Sequence, residues 1–468
     1  MKKFIAMITA ACIIGGAAPT FESWAPEAVI TADAADTVAS GTCGDGVNWA
    51  LDSAGTLTIS GSGYTDNWTF QSASWGEDDM SDIVIYFSES APPWYEYRNE
   101  IKKAVVGSGV KYLGAGAFAG LTGLSSVSLS EGLDTINGFC FGYCVGLTSI
   151  KIPDSVEFIG GYAFNNCDNL TSIDLGSGVS TLGIKAFCSC KSLTSIDLPA
   201  SLTDIYDAPF AYCTSLETIN VDSNNQYYKS MSGVLVDKNV TKVIAYPAAK
   251  KAGSCTVPNT VETICDYAFA ANPYLRTVKL MSPLKTIGSS AFESCVNLSS
   301  ITIPDTVTYV DSFVFAYCDS LVEIAVPKTV TELRSYTFGF CDSLEMVMIM
   351  NKDCVIDDGT YTFTICNRQD VYTGSIVGYK GSTAQTYAEK YGYTFDPIRD
   401  KGDVNADSQA DSSDAALILQ HYAKAQSDGN GTLTYYTKKY IADYNADGSV
   451  DSSDAAMLLK YYADNQAK

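Results

Sequence analysis

The phrase AFNNCDNLTSIDL, residues 163–175, decides the fold, because the chain repeats it with small changes along most of its middle. Related copies are FGYCVGLTSIKI (141–152), AFCSCKSLTSIDL (186–198), PFAYCTSLETINV (209–221), AFESCVNLSSITI (291–303), VFAYCDSLVEIAV (314–326) and TFGFCDSLEMVMI (337–349). Phe118, Phe141, Phe164, Phe187 and Phe210 are spaced evenly by 23, and so are Phe269, Phe292, Phe315 and Phe338. A fixed period of this length marks a stacked repeat architecture. The step from Phe210 to Phe269 is 59, which exceeds one period by 36. That excess falls on VDSNNQYYKSMSGVLVDKNVTKVIAYP (221–247) and predicts a β-hairpin on one enlarged repeat, at about 221–256.

Each unit holds a short strand such as Leu170–Leu175, a turn with Pro or Gly, and an apolar run ending at Ala-Phe. Such a strand cannot bury its inner face alone, so units must stack into a solenoid with one parallel sheet along it. The leucines, the isoleucine and the Ala-Phe pair point inward. Outward positions of the strand carry Ser149/Lys151, Ser172/Asp174, Ser195/Asp197, Ser300/Thr302, Glu323/Ala325 and Met346/Met348. This face is small and hydroxylated, without the flat rings of a sugar-binding platform. Aromatics recur one residue before the repeat cysteine, at Tyr143, Tyr212, Tyr317 and Phe340, but the row is interrupted and suits packing better than binding. Cys144, Cys167, Cys190, Cys213, Cys295, Cys318, Cys341 and Cys366 fall once per unit. Their regular placement predicts a ladder of buried, reduced thiols rather than a disulfide framework.

This phrasing resembles the BspA-type bacterial leucine-rich repeat, whose units run LTSIxLPxSVxxIGxxAFxxC. The resemblance implies an α/β leucine-rich-repeat solenoid of about 23-residue repeats over residues 101–370. Thr42-Cys43-Gly44, the run Trp49 to Ile59, and Pro93-Trp94-Tyr95 resemble that family's β-rich N-terminal cap, at 36–100. Gly378 to Tyr387, with Ser382 and Gln385 at capping-box spacing, resembles its C-terminal cap, at 371–396. Asn272 departs from the pattern by standing where other units have Cys.

The chain has 468 residues, with 30 basic against 53 acidic residues and a formal charge of -23. Such a surface repels phosphate backbones and anionic lipid, so neither nucleic acid nor a membrane surface is an expected partner. MKKFIAMITAACIIGGAAP opens with two lysines and an apolar run too short to span a bilayer, which predicts a signal peptide over 1–34 and export from the cell. No membrane anchor is expected. His421 is the only histidine, so Ser-His-Asp, Cys-His and His-Glu-x-x-His chemistry is excluded from the solenoid. A carboxylate pair remains open; Glu77, Asp78 and Asp79 near Trp68 and Trp75 come closest, and an acidic surface loop accounts for them more simply. The expectation is a non-catalytic protein.

Two acidic stretches stand apart: DVNADSQADSSDAALIL (403–419) and DYNADGSVDSSDAAMLL (443–459). Asp403, Asn405, Asp407, Gln409, Asp411 and Asp414 occupy loop positions 1, 3, 5, 7, 9 and 12. Asp443, Asn445, Asp447, Ser449, Asp451 and Asp454 do the same in the second copy. That spacing is the ligand plan of an EF-hand, which surrounds a hard cation with alternate side-chain oxygens and one carbonyl at position 7. Two Ca2+ ions are the expected cofactors, with no organic cofactor. Only exiting helices are encoded, from Asp414 to Lys424 and from Asp454 to about Ala463, because Pro397 to Gly402 is linker. His421, on the first of them, is expected to be structural or exposed.

The duplicated loop-helix pattern resembles the type I dockerin of the cellulosomes of anaerobic bacteria, over 401–464. The resemblance implies a small all-α, calcium-folded module that binds a cohesin of a scaffoldin. It implies recognition through Ser412, Ser413, Leu419, Gln420 and Lys424 and through Ser452, Ser453, Leu459 and Lys460, with near-twofold repetition permitting two docking orientations. The whole then reads as a secreted, cellulosome-associated protein that uses its solenoid to bind a protein or polysaccharide within a polysaccharide-degrading complex. Alternatives are a carbohydrate-active O-glycosyl hydrolase and an adhesin or inhibitor.

Overall fold

In the computed structural model, which describes residues 36–68, 70–73, 84–87, 91–359, 364–366, 372–428, 433–434 and 436–466, the repeat phrase winds one coil per period. The expected leader at 1–34 and the group Trp75, Glu77, Asp78 and Asp79 lie outside the described residues. Leu147, Ile150, Leu170, Ile173, Leu193 and Ile196 are all buried. Strand Ser149–Lys151 pairs in parallel with Ser172–Asp174, placing Ile150 opposite Ile173. The same one-period register joins Ser195–Leu198 to Thr218–Val221, and Thr277–Lys279 to Ser300–Thr302.

The sequence predicted one parallel sheet; a second ladder of two-residue strands runs beside it, through Thr135–Ile136, Phe158–Ile159, Thr181–Leu182 and Asp204–Ile205. A third set of coil-to-coil bonds ties the Ala-Phe turns together. Phe141 N donates to the Ala163 carbonyl and Phe164 N to Ala186, each at 2.8 Å. These turns need residues at positive φ at two places per coil. One row comprises Phe139, Tyr162, Lys185 and Ala208, then Tyr267, Ser290, Phe313 and Tyr336; the other includes Tyr143, Asn166, Ser189 and Tyr212, then Ser294, Tyr317 and Phe340. Left-handed backbone costs a non-glycine residue roughly 1–2 kcal/mol, so the inter-coil bonds and ring packing must hold it. The interrupted row of aromatics before the cysteine is this second row: Tyr317 stacks on Phe340 at 4.6 Å, and Tyr212 meets Tyr267 of the first row edge-on at 5.7 Å.

Inside the coils the phenylalanines form a column. Phe164 has no exposed surface and lies between Phe141 and Phe187, at 5.2 Å from each. Trp94 closes the N-terminal end of the column, 6.1 Å from Phe118, with its Nε1 donating to the Ala117 carbonyl at 2.9 Å. Trp68 packs on Trp94 at 5.3 Å and is buried, so it belongs to the cap's core. The cap's antiparallel strands Thr37–Gly44, Val47–Asp52 and Thr56–Gly61 continue into the array because Leu57 pairs in parallel with Ala104.

The cysteine ladder is built of thiol-to-carbonyl bonds. Cys144, Cys167, Cys190 and Cys213 donate to the carbonyls of Phe118, Phe141, Phe164 and Phe187 at 3.0–3.2 Å. Cys295, Cys318 and Cys341 repeat the bond in the second half. All the described cysteines are free thiols, and burial pushes the Cys295 and Cys341 thiols up to about 12. Asn272 replaces this arrangement without loss: its Nδ2 donates to Pro247 at 3.1 Å, while its Oδ1 accepts from the Tyr274 and Leu275 amides.

The enlarged repeat carries the expected hairpin, Tyr228–Met231 with Val234–Asp237. Leu235, Ile244 and Ala245 pack into the first half's core, whereas Val236, Val243 and Tyr246 pack into the second's. At the C-terminal end, Ser382 caps helix α1 (Thr383–Tyr391) by accepting from Gln385 N, and strand Thr394–Pro397 closes the sheet against Ser375–Gly378.

Two outcomes follow from this packing. Phe164→Ala should lower unfolding stability in urea by about 3–5 kcal/mol, whereas Ser172→Ala on the open face should shift it by no more than about 0.5 kcal/mol. At pH 8 Cys144 and Cys167, buried and held protonated by that burial, should resist maleimide until the chain is unfolded; labelling of either in the native chain at the rate of a free thiol would contradict the ladder.

Candidate functional site

The two acidic loops fold alike, bond for bond. In the first, Asp403 accepts from the amides of Asp407 at 3.0 Å and Ser408 at 3.1 Å. In the second, Asp443 accepts from Asp447 at 3.1 Å and Gly448 at 3.0 Å. Asn405 and Asn445 each take the amide two residues on, at 2.8 and 2.9 Å, and Asp407 and Asp447 each take the amide of position 7 at 2.9 Å. A chain that alternates oxygen-bearing side chains with small residues must curl in this way to satisfy its own amides.

The Asp-Ser-Ser-Asp ending has a second task. Asp411 precedes helix α2 (Ser412–Asp428) and accepts from Ser413 N at 2.7 Å, while Asp414 reaches back to the Asp411 amide at 3.0 Å. Asp451 and Asp454 repeat this at the start of helix α3 (Ser452–Gln466), at 2.7 and 2.9 Å. This is a reciprocal capping box with Asp at both ends. It starts each helix two residues earlier than the periodicity predicted, and its Asp-x-x-Asp spacing was the legible sign. The Ser413 hydroxyl and amide hold Asp411 below the ordinary carboxylate value, as Ser453 does for Asp451.

The donor set fits a hard cation. Asp414 and Asp454 have no exposed surface, and Asp403 and Asp443 are buried at 3% and 9% exposure. Among the described residues, no lysine or arginine forms an ion pair with any of the eight loop aspartates. Buried carboxylates without a cationic partner are costly, and an oxygen-seeking divalent ion relieves that cost. Among the described residues the carboxylates are not drawn into a tight metal cluster, and their oxygens hold loop amides instead. Gln409 and Ser449 would contribute main-chain carbonyls, as position 7 requires.

The two copies differ at position 6. Gly448 has φ +90° and Ser408 has φ +75°, so the first loop makes the same turn with a side chain in the left-handed region.

Of the residues expected to meet a partner, Ser412, Ser413, Leu419, Gln420 and Lys424, and Ser452, Ser453, Leu459 and Lys460, all are exposed. Ala415 and Ile418 pack with Ala455 and Leu458 between the helices, which turns these surfaces outward. Ser413 and Ser453 are also tied inward, accepting from Asn405 and Asn445 Nδ2 at 2.9 and 2.8 Å. Exposed Met457 and Tyr461, absent from the sequence expectation, widen the second surface. The likeness breaks where His421 is buried and Tyr461 exposed. His421 Nδ1 accepts from Leu433 N at 3.3 Å, and burial lowers its pKa, so it is a structural, neutral histidine. A one-turn π-helix, Thr437–Ala442, leads into the second loop.

On the solenoid, a hollow of about 660 Å³ opens on the sheet face over residues 173–177, 197–200 and 220–222. Asp154, Asp174, Asp197 and Asp222 line it, over an apolar floor that includes Ile173 and Leu198.

Comparison with known proteins places these parts. Residues 94–217 and 245–369 match the BspA type leucine-rich repeat region in six copies, and residues 401–463 match the dockerin type I domain. No curated protein matches the chain. Among solved structures, a leucine-rich repeat protein from Eubacterium ventriosum superposes with a TM-score of 0.58 at 25% identity, over 70% of this chain and 84% of that one. The pneumococcal vaccine antigen PcpA gives 0.54 at 17% identity, over 78% and 100%. A leucine-rich cell surface protein from Faecalibacterium prausnitzii gives 0.50 at 22%, over 70% and 97%. The last two show a shared fold.

Calorimetric calcium titration should resolve two unequal sites, with the loop at 403–414 about five- to tenfold weaker because Ser408 bears the left-handed turn. Ser408→Gly should bring the sites together. Equal sites in the parent chain, or a tighter first site, would refute this account.

Proposed function

The chain belongs to the BspA-type leucine-rich repeat family and carries a type I dockerin, and from that premise we propose that it is an exported cellulosome component that docks through two calcium-filled loops and binds with its repeat array. One observation carries the reading: two loop-helix units, alike to within 0.1 Å in their main hydrogen bonds, present their expected partner residues to solvent. Leu419 and Leu459 stand at equivalent positions of the two helices, at 43% and 40% exposure. Exposed apolar side chains beside polar and cationic ones suit a protein interface.

Calcium, when bound, neutralises the loop carboxylates. The residues of this chain do the rest: Asp403 and Asp443 gather the loop amides, the Asp-x-x-Asp boxes start the helices, and Ala415, Ile418, Ala455 and Leu458 clamp them together. The cohesin of a scaffoldin is the proposed partner, and location outside the cell follows from such docking.

For the array, the acid-lined hollow and a sheet face of Ser, Thr and Asp favour a protein ligand over a polysaccharide. Some rings at the solenoid surface are also occupied by one another, as Phe313 and Tyr336 are, stacked at 4.9 Å. Enzymatic activity is the rival reading, and an adhesin or inhibitor the third.

The full chain should bind a type I cohesin with calcium and lose it to a chelator. Leu419→Asp or Leu459→Asp alone should change affinity by no more than about threefold, whereas together they should weaken it about a hundredfold or more. Loss of binding by either alone would remove the two-orientation proposal. Reproducible reducing-end release from plant polysaccharides by the purified chain would favour the enzyme instead.

A further inference from the structure

Most of the open sheet face is bare, yet its last rungs are covered. Met346, expected on the solvent side, keeps only 2% of its surface, Val377 keeps none, and Met348 is half-buried. Their neighbours Val347, Ile349 and Ile376 fill the solenoid interior. Met346 and Val377 instead share an apolar cluster with Val404, Ile418, Tyr436 and Ile441 of the C-terminal module. Polar contacts frame that cluster. Glu323, on the adjacent strand, pairs with Lys439 and accepts from Tyr440 Oη at 2.9 Å. Lys380 Nζ donates to the carbonyl of Ala406, inside the first loop, at 2.9 Å. Arg399 is buried between Asp396 of the last strand, at 3.9 Å, and Thr437.

We infer that the docking module is a built-in end piece of the solenoid, in which filling of the first loop and closure of the Met346–Val377 face are one linked equilibrium. The inference rests on the reading of the C-terminal module as a calcium-folded dockerin. Val404 and Ala406 alternate with the ligand positions Asp403, Asn405 and Asp407, so the loop cannot rearrange without disturbing both contacts. The outward row itself changes where the module sits, from Ser, Thr and Asp to Met346, Met348 and Val377. Undocked, these would form an exposed apolar patch, which a soluble surface avoids. Ser412, Leu419, Gln420, Lys424, Leu459 and Lys460 stay exposed in the docked arrangement. A bound cohesin is therefore held at a set angle to the repeat array.

Methionine oxidation by dilute peroxide, read by peptide mass spectrometry on the full chain, tests the linkage. Met457, at 47% exposure, serves as the internal reference. In calcium, Met346 should oxidise at least about tenfold more slowly than Met457, and chelation should close the gap to within about threefold. The ladder thiols should stay closed to alkylation throughout, showing that the solenoid remains folded. Glu323→Lys should expose Met346 even in calcium, and adding Lys439→Glu should restore its protection. Rapid Met346 oxidation in calcium, or protection untouched by chelation, overturns the inference. Cohesin capture by the same samples separates that failure from failure of the docking reading, which would show as no calcium-dependent capture.

Discussion

Ring-on-ring contact along one axis is the constraint on which the rest of the molecule depends. From Trp94 through Phe118, Phe141, Phe164 and Phe187 to Phe210, and again from Tyr246 through Phe269, Phe292 and Phe315 to Phe338, centroids are 4.9–6.1 Å apart. That distance is a little longer than the roughly 4.7–4.9 Å spacing of hydrogen-bonded strands, close enough that rings and strands keep one register. A coil shortened or lengthened by a single residue would shift its phenylalanine off the column and its cysteine off the preceding carbonyl together. Repeated Ser and Thr hydroxyls add to the same register, as when Ser155 and Ser201 donate to Leu133 and Val179 at 2.8 and 2.7 Å.

The two ends of the chain solve opposite problems. The solenoid is apolar within and needs protection where it stops, which Trp94 and the N-terminal strands supply at one end and helix α1 at the other. The C-terminal module has a small apolar interior around Ile418 and Leu458 and concentrates negative charge in two loops. Joined through Met346 and Val377, each lends the other what it lacks: the module gains an apolar footing, and the sheet gains a lid.

The even period, the inward Leu, Ile and Phe, and the doubling of the acidic loop were legible because they are patterns of residue type at fixed intervals. The left-handed turns were not, because Phe139, Tyr162 and Tyr143 are residues that local preference keeps out of that region. The first coil betrays them, since Gly116 and Gly120, at φ +70° and +73°, stand one period before Phe139 and Tyr143, and Asn166 is a weaker sign. The second strand ladder escaped notice because two-residue strands such as Thr181–Leu182 are too short to show alternation. Met346 was assigned correctly to the outward row, yet is buried, because what covers it lies far along the chain, from Val404 onward. The capping role of Asp414 was hidden by its other assignment as a metal ligand.

The hairpin of the enlarged repeat divides its side chains between two cores, and among the described residues no ring contact joins Phe210 to Tyr246. A stack of repeats transmits load in series, each coil held only by its neighbours. Tension between a ligand gripped by the first coils and an anchor at the docking module must therefore cross this joint. With the aromatic column broken there, that load passes instead through the split hairpin and through surface contacts such as Tyr212 on Tyr267, at 5.7 Å, and Lys185 Nζ donating to Tyr267 Oη at 3.1 Å.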